Sequence, residues 1–187
     1  NLHYYDNETD NYTQHHLQLN YTRAFTDALA WSTTFNYTRG DGYYENYKAG
    51  RALSKYMFEN PVIDGVEYDE GDFITREALA NDYFVLNSDV RYSSQRLNLT
   101  AGVNLSRYDG DHIGSVLWSD VLGDSYDYGS HQWYLNNGLK QEVNAFVRGE
   151  ILLARKLTAF ADLQYRGIWL KMEGPEDDGV LLDHKDD

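Results

Sequence analysis

The sequence predicts an all-β protein, a segment of an antiparallel transmembrane β-barrel with six strands in three hairpins. Three observations carry the prediction. Apolar and polar residues alternate with a period of two through residues 12–39, 82–107 and 143–165, the pattern of strands with unlike faces. The repeats come close to the roughly 10 residues a tilted strand needs to cross a bilayer. The connections run short, long, short, long, short, as in barrels that keep tight turns at one end and long loops at the other.

The first hairpin organises the rest. Its first strand, about 12–23, puts Leu17, Leu19 and Tyr21 on one face and His16, Gln18, Asn20 and Thr22 on the other. Ala24 to Ala28 form the turn, and the second strand, about 29–39, sets Leu29, Trp31, Phe35 and Tyr37 against Ser32, Thr34, Asn36 and Thr38. Residues 40–81 then read as a long loop, with turn signals at Asp41-Gly42, Asn60-Pro61, Asp64-Gly65 and Glu70-Gly71-Asp72. Within it a helix is expected over Asn46–Met57, and a helical turn over Arg76–Ala80 capped by Thr75.

The third strand, about 82–92, carries Phe84, Leu86, Val90 and Tyr92 on its apolar side, and Ser93–Arg96 reverses the chain. The fourth, about 97–107, has the cleanest pattern: Leu97, Leu99, Ala101, Val103 and Leu105 against Asn98, Thr100, Gly102, Asn104 and Ser106. Residues 108–131 read as a second long loop containing Asp109-Gly110-Asp111. A fifth strand lies within 132–153, marked by Val143, Ala145, Val147, Gly149, Ile151 and Leu153; a sixth, about 157–170, carries Ala159, Ala161, Leu163 and Tyr165. Residues 1–11 read as a solvated loop that looks truncated, and 174–187 as the opening of another loop. In this arrangement Leu17, Leu19, Tyr21, Trp31, Phe35, Leu86, Val90, Leu99, Val103, Ala145, Val147 and Leu163 face lipid.

Composition narrows the function. Aromatic residues make up 15% of the chain, including 17 tyrosines, and tyrosine suits a place with an apolar body and a wet tip. A net charge of −14 argues against nucleic acid, whose phosphates need clustered Lys and Arg. With no cysteine there is neither a disulfide framework nor a thiolate metal site. The first residues show no basic segment followed by an apolar one, so no signal peptide is read there.

Candidate chemistry is sparse. His15 and His16 point to opposite faces of a strand and cannot share a metal. Asp109, Asp111 and His112, and the acidic run Asp64, Glu67, Asp69, Glu70 and Asp72, could offer oxygen ligands to a hard cation, but both read better as solvated turns. No nucleophile elbow, HExxH or Walker loop is present, so no catalytic residue, metal or cofactor is expected. Six Asn-x-Ser/Thr sequons occur, and those at Asn20, Asn36, Asn98 and Asn104 fall within expected strands, where alternating Asn and Thr build a polar face. The expected ligand contacts are Tyr43, Tyr44, Tyr47, Trp118, Tyr126, Tyr128 and Trp133, aromatics able to stack on sugars or flat chelates; packing between loops is the competing role.

Several stretches also carry a family resemblance: YYDNETDNYTQHHLQLNYTRAF (4–25), GDGYYENYK (40–48), SKYMF (54–58) and NDYF (81–84). Together they resemble the barrel of TonB-dependent outer-membrane receptors of Gram-negative bacteria, over nearly the whole chain. The resemblance implies import of a scarce nutrient such as a ferric siderophore, a cobalamin or a glycan. It further implies a lipid bilayer, a plug domain, further barrel strands, and TonB as partners, with the plug outside this chain; such receptors have about 22 strands, against six here. Two other readings fit the strands alone: a passive outer-membrane porin, and a soluble ligand-binding barrel with its apolar face turned inward.

Overall fold

The computed structural model describes residue 5 and residues 8–185. The protein is all-β. Its strands are β1 (Thr9–Ala24), β2 (Leu29–Ala52), β3 (Val62–Ile63), β4 (Val66–Glu67), β5 (Glu70–Ser93), β6 (Leu97–Ser119), β7 (Gln132–Ala154), β8 (Leu157–Pro175) and β9 (Leu181–Lys185). Seven form one antiparallel sheet in the order β1-β2-β5-β6-β7-β8-β9, and β3 and β4 form a separate hairpin. Tight turns at 25–28, 94–96 and 155–156 gather at one end, and the connections 53–69, 120–131 and 176–180 at the other. Thr26 fixes the first turn, its hydroxyl accepting from the Leu29 N–H at 3.0 Å, and Ser94 does the same for Leu97 at 3.1 Å.

The six expected strands are present, but among the described residues there are nine strands, in a largely open sheet. The two long loops are the principal correction. Most of 40–81 is strand, with β2 running on to Ala52 and β5 starting at Glu70, and β6 continues to Ser119. The helices expected over Asn46–Met57 and Arg76–Ala80 are therefore strand, apart from a 3-10 turn at Leu53–Tyr56. Cross-strand pairing explains the outcome: Glu45 lies directly opposite Arg76 and is ion-paired with it, a stabilising arrangement that a helix would disperse.

The Gly-Asp-Gly and Asp-Gly-Asp signals mislead because these glycines serve aromatic rings rather than turns. Gly40 and Gly42, two apart and so on one face, lie under the Tyr12 ring, which a Cβ at either position would strike. Gly110 is covered in the same way by Tyr108. The real turn is Asp64-Gly65, with φ of 52° and 79°, the two left-handed residues of a type I′ hairpin. Asp109, Asp111 and His112 sit in β6, not in a turn. At the C-terminal end β8 and β9 close a further hairpin where a loop was expected. The expectation for residues 1–11 falls partly outside the described residues; from Thr9 the chain is strand.

Register aligns the alternation across the sheet. One row reads Leu19, Phe35, Leu86, Leu105, Val143; another reads Arg23, Trp31, Val90, Ala101, Val147, Leu163, apolar except for Arg23 on the edge strand; a third reads Tyr21, Thr33, Ser88, Val103, Ala145, Tyr165. Leu17 pairs with Tyr37, and Leu99 with Tyr92, so all twelve residues expected to meet lipid share one face. The opposite face carries the row Asn20, Thr34, Asn87, Asn104, Asn144, Arg166. Its side chains are bonded laterally: Asn104 Nδ2 donates to Asn87 Oδ1 at 2.6 Å, and Asn144 Nδ2 to Asn104 Oδ1 at 3.3 Å.

Toward the loop end the apolar face finishes in the row Leu17, Tyr37, Phe84, Arg107, Gln141, Trp169, which mixes three aromatics with the polar Arg107 and Gln141; Tyr37 and Phe84 are stacked at 4.8 Å. The next row on that face is charged, His15, Arg39, Asp82, Asp109, Leu139, Lys171, and Arg39 bridges Asp82 and Asp41 at 2.8 and 2.9 Å. The buried core, Leu53, Tyr56, Phe58, Phe73, Val116, Trp133 and Tyr134, lies at this end. Phe73, Val116 and Tyr134 project there from the polar face, and the 53–58 segment folds over them.

Candidate functional site

Beyond the charged row the extended strands carry a cleft of about 300 Å³ on the polar face. Tyr12 of β1, Gly42 and Tyr44 of β2, Glu77 and Leu79 of β5, His112 of β6 and Tyr134 of β7 line it, with Asp10 at its rim. Register brings them together: Tyr12, Gly42, Leu79 and His112 form one row, and Tyr44, Glu77, Gly114 and Tyr134 the next. Gly42 and Gly114 let the Tyr12 and Tyr134 rings lie close against the sheet, because a Cβ at either would strike them.

The cleft is acidic and aromatic. The Tyr44 hydroxyl donates to the Glu77 carboxylate, and that of Tyr134 reaches it at 3.5 Å. Burial and the neighbouring Glu77 charge push the Tyr44 phenol up to about 12, and the same causes raise Tyr134. Both rings stay neutral donors at physiological pH. Tyr12 donates to Asn81 Oδ1 at 3.0 Å, and His112 Nδ1 lies 3.0 Å from Asn136 Oδ1, so both are held in place. Among the described residues no three His, Cys, Asp or Glu side chains gather closely enough to hold a metal.

The seven aromatics expected to touch ligand do not form one site. Tyr43 and Tyr44 both border the cleft, and Tyr44 belongs to its polar face. Tyr43 and Tyr47 lie on the opposite face, where the Arg76 guanidinium covers the Tyr43 ring at 4.3 Å and Tyr47 donates to Asp72. Trp118 shares that face through its partner Ile74 and donates to Asp124 at 3.1 Å. Trp133 is only 2% exposed, in the core. Tyr126 packs edge-on against Phe58 at 5.4 Å, and Tyr128 donates to the Gly123 carbonyl at 2.8 Å. Tyr126, Tyr128 and Trp133 thus pack the loop end. The two loops are clasped by His131, stacked on Phe58 at 3.9 Å with Nε2 2.6 Å from the Tyr56 carbonyl.

Sequence reasoning missed Tyr12, Glu77 and Tyr134, and weighed His112 only as a cation ligand in a solvated turn. A usable signal existed, since counting the hairpin register outward from residues 25–28 places Tyr12 opposite Gly42. Taking Arg39 as the end of the strand hid it.

Fold and cleft together define an all-β antiparallel sheet with unlike faces and an aromatic, acidic cleft at its long-strand end. No protein-family model matches the chain, and no curated protein matches it.

Proposed function

We propose that this chain is part of the wall and of the ligand-capturing end of an outer-membrane import receptor, in the manner of the TonB-dependent receptors it resembles. The observation that carries the reading is the bare apolar face. Leu19, Tyr165 and Leu163 are 60, 62 and 75% exposed, and among the described residues no second layer covers the rows they belong to. The chain exposes 12879 Å², where a compact monomer of its 21.7 kDa would expose roughly 9,200 Å². A single sheet needs something apolar against such a face, and hydrocarbon is the partner that fits its dimensions. From Leu97 to Arg107 the strand rises ~34 Å at ~3.4 Å per residue; a tilt of ~45° turns this into about 24 Å, against an apolar band of roughly 25 Å.

A soluble barrel would bury that face, whereas here the buried core lies at the loop end of the other one. In hydrocarbon every strand edge needs a partner, which further strands of the parent barrel would supply, while the polar face would line a lumen occupied by a plug that engages TonB. Ligand would enter from the end bearing the cleft and the clasped loops. The test is growth of Gram-negative cells with and without the intact protein on limiting ferric chelates, cobalamin or glycans. An advantage on one nutrient that disappears without TonB is expected; an advantage that persists without TonB would make the protein a passive channel.

A further inference from the structure

We propose that the cleft between Tyr12, Tyr44 and Tyr134 receives the cationic group of a small organic ligand, an ammonium or guanidinium, with Glu77 as its counter-ion. This deepens the import reading by naming a ligand class, and it rests on that reading for the route by which ligand arrives.

Four observations carry it. The cleft is walled by tyrosine rings and contains the carboxylates of Asp10 and Glu77, and no Lys or Arg lines it. Glu77 is held by neutral phenols, Tyr44 and Tyr134, so its charge is oriented but not neutralised. The cations nearby are engaged elsewhere: Arg76 with Glu45, and Lys55 with Asp177 at 3.9 Å. The same end of the sheet already shows the chemistry in miniature, since the Arg76 guanidinium lies between the Glu45 carboxylate and the Tyr43 ring, 4.3 Å from the ring centroid. A carboxylate beside an aromatic face is what stabilises an organic cation in a partly desolvated site. Partial burial and the Glu77 charge beside them raise the phenols of Tyr44 and Tyr134, in keeping with a negative site. A volume of about 300 Å³ accommodates a choline or an arginine head group, and an anionic chelate or a phosphate would meet like charge.

The experiment is calorimetric titration of the intact protein in polyoxyethylene-ether micelles, which bring neither choline nor sugar head groups. The probes are choline, arginine methyl ester, glucose and benzenesulfonate. Choline and the arginine ester should bind, more weakly as salt rises, and the other two should not bind at the same concentrations. Glu77→Gln should weaken choline at least about tenfold, the scale of one lost charge-assisted contact. Tyr44→Ala should do the same, while Tyr44→Phe, which keeps the ring, should stay within a few-fold. Glucose or benzenesulfonate binding as well as choline, or Glu77→Gln binding choline unchanged, would overturn the inference. Vesicle insertion measured on the same preparations separates the two readings. Insertion without cation binding overturns the ligand class alone, and cation binding without insertion leaves it standing while removing the membrane wall.

Discussion

Val103 and Asn104 are adjacent in β6 and lie on opposite faces in the middle of the apolar band, so replacing each by Arg separates the faces at one depth. Val103 is four residues from Arg107, the first charge on its face of β6 toward the loop end, ~14 Å along the strand at ~3.4 Å per residue and about 10 Å along the normal at a ~45° tilt. Arg there meets nearly the full midplane cost of about 2–4 kcal/mol. At Asn104 the loss is limited to its bonds with Asn87 and Asn144, which are largely solvated and so together cost about 1 kcal/mol. Val103→Arg should therefore be the more damaging by about 1–3 kcal/mol, read from urea unfolding in liposomes. The pairs Leu19 with Asn20 and Ala145 with Asn144 should repeat the contrast, and Leu97→Arg, near the turns, should cost less than Val103→Arg. Equal tolerance on both faces would refute the assignment, and greater damage at the asparagines would favour the soluble barrel.

Other outcomes follow from the same geometry. Gly42→Ala puts a methyl 2.6 Å from the Asn11 carbonyl and against the Tyr12 ring, so it should cost about 1–3 kcal/mol and speed amide exchange along β1, whereas Gly138→Ala, with open space around it, should leave exchange in β7 unchanged. Phe58→Ala removes a side chain that is 8% exposed and stacked on Phe73 and His131; a loss of about 3 kcal/mol should open residues 53–69 and 120–131 to protease while the strands stay protected. Asp72 accepts from the Tyr47 hydroxyl and the Gly50 N–H, and these bonds lower its carboxyl from the ordinary range. Its contribution is present above an unfolded value of about 3.9 and is lost as pH falls through the lowered one, so protection of the Gly50 amide should fall in acid, and Asp72→Asn should flatten that dependence.

What the sequence made legible was the part governed by period two. Leu97 to Ser106 declares its faces without help, because a one-residue slip would invert them, and the short turns set the hairpin registers. The strand extensions were illegible for a physical reason: beyond Arg39 the pattern has glycines where one face expects side chains, and their purpose becomes visible only when Tyr12, far off in sequence, is laid over them. The cleft was hidden for the same reason, since Tyr12, Tyr44, Glu77 and Tyr134 come from four strands and no local window contains two adjacent rows. Aromatic richness in the loops was legible, but its use was not. Trp133 and Tyr128 pack the loop-end core, and Tyr126 with His131 closes one loop on the other.

The central claim, that the apolar face meets hydrocarbon, is tested most directly by brominated-lipid quenching of single-tryptophan versions of the intact protein in liposomes. Trp31 lies well inside the apolar band, Trp169 at its loop-side edge, and Trp133 in the core beyond it. Bromine placed deep in the acyl chains should quench Trp31 strongly, Trp169 less, and Trp133 not at all. Trp31 left unquenched at every bromine depth, in protein whose β-sheet signal is intact, would contradict the account.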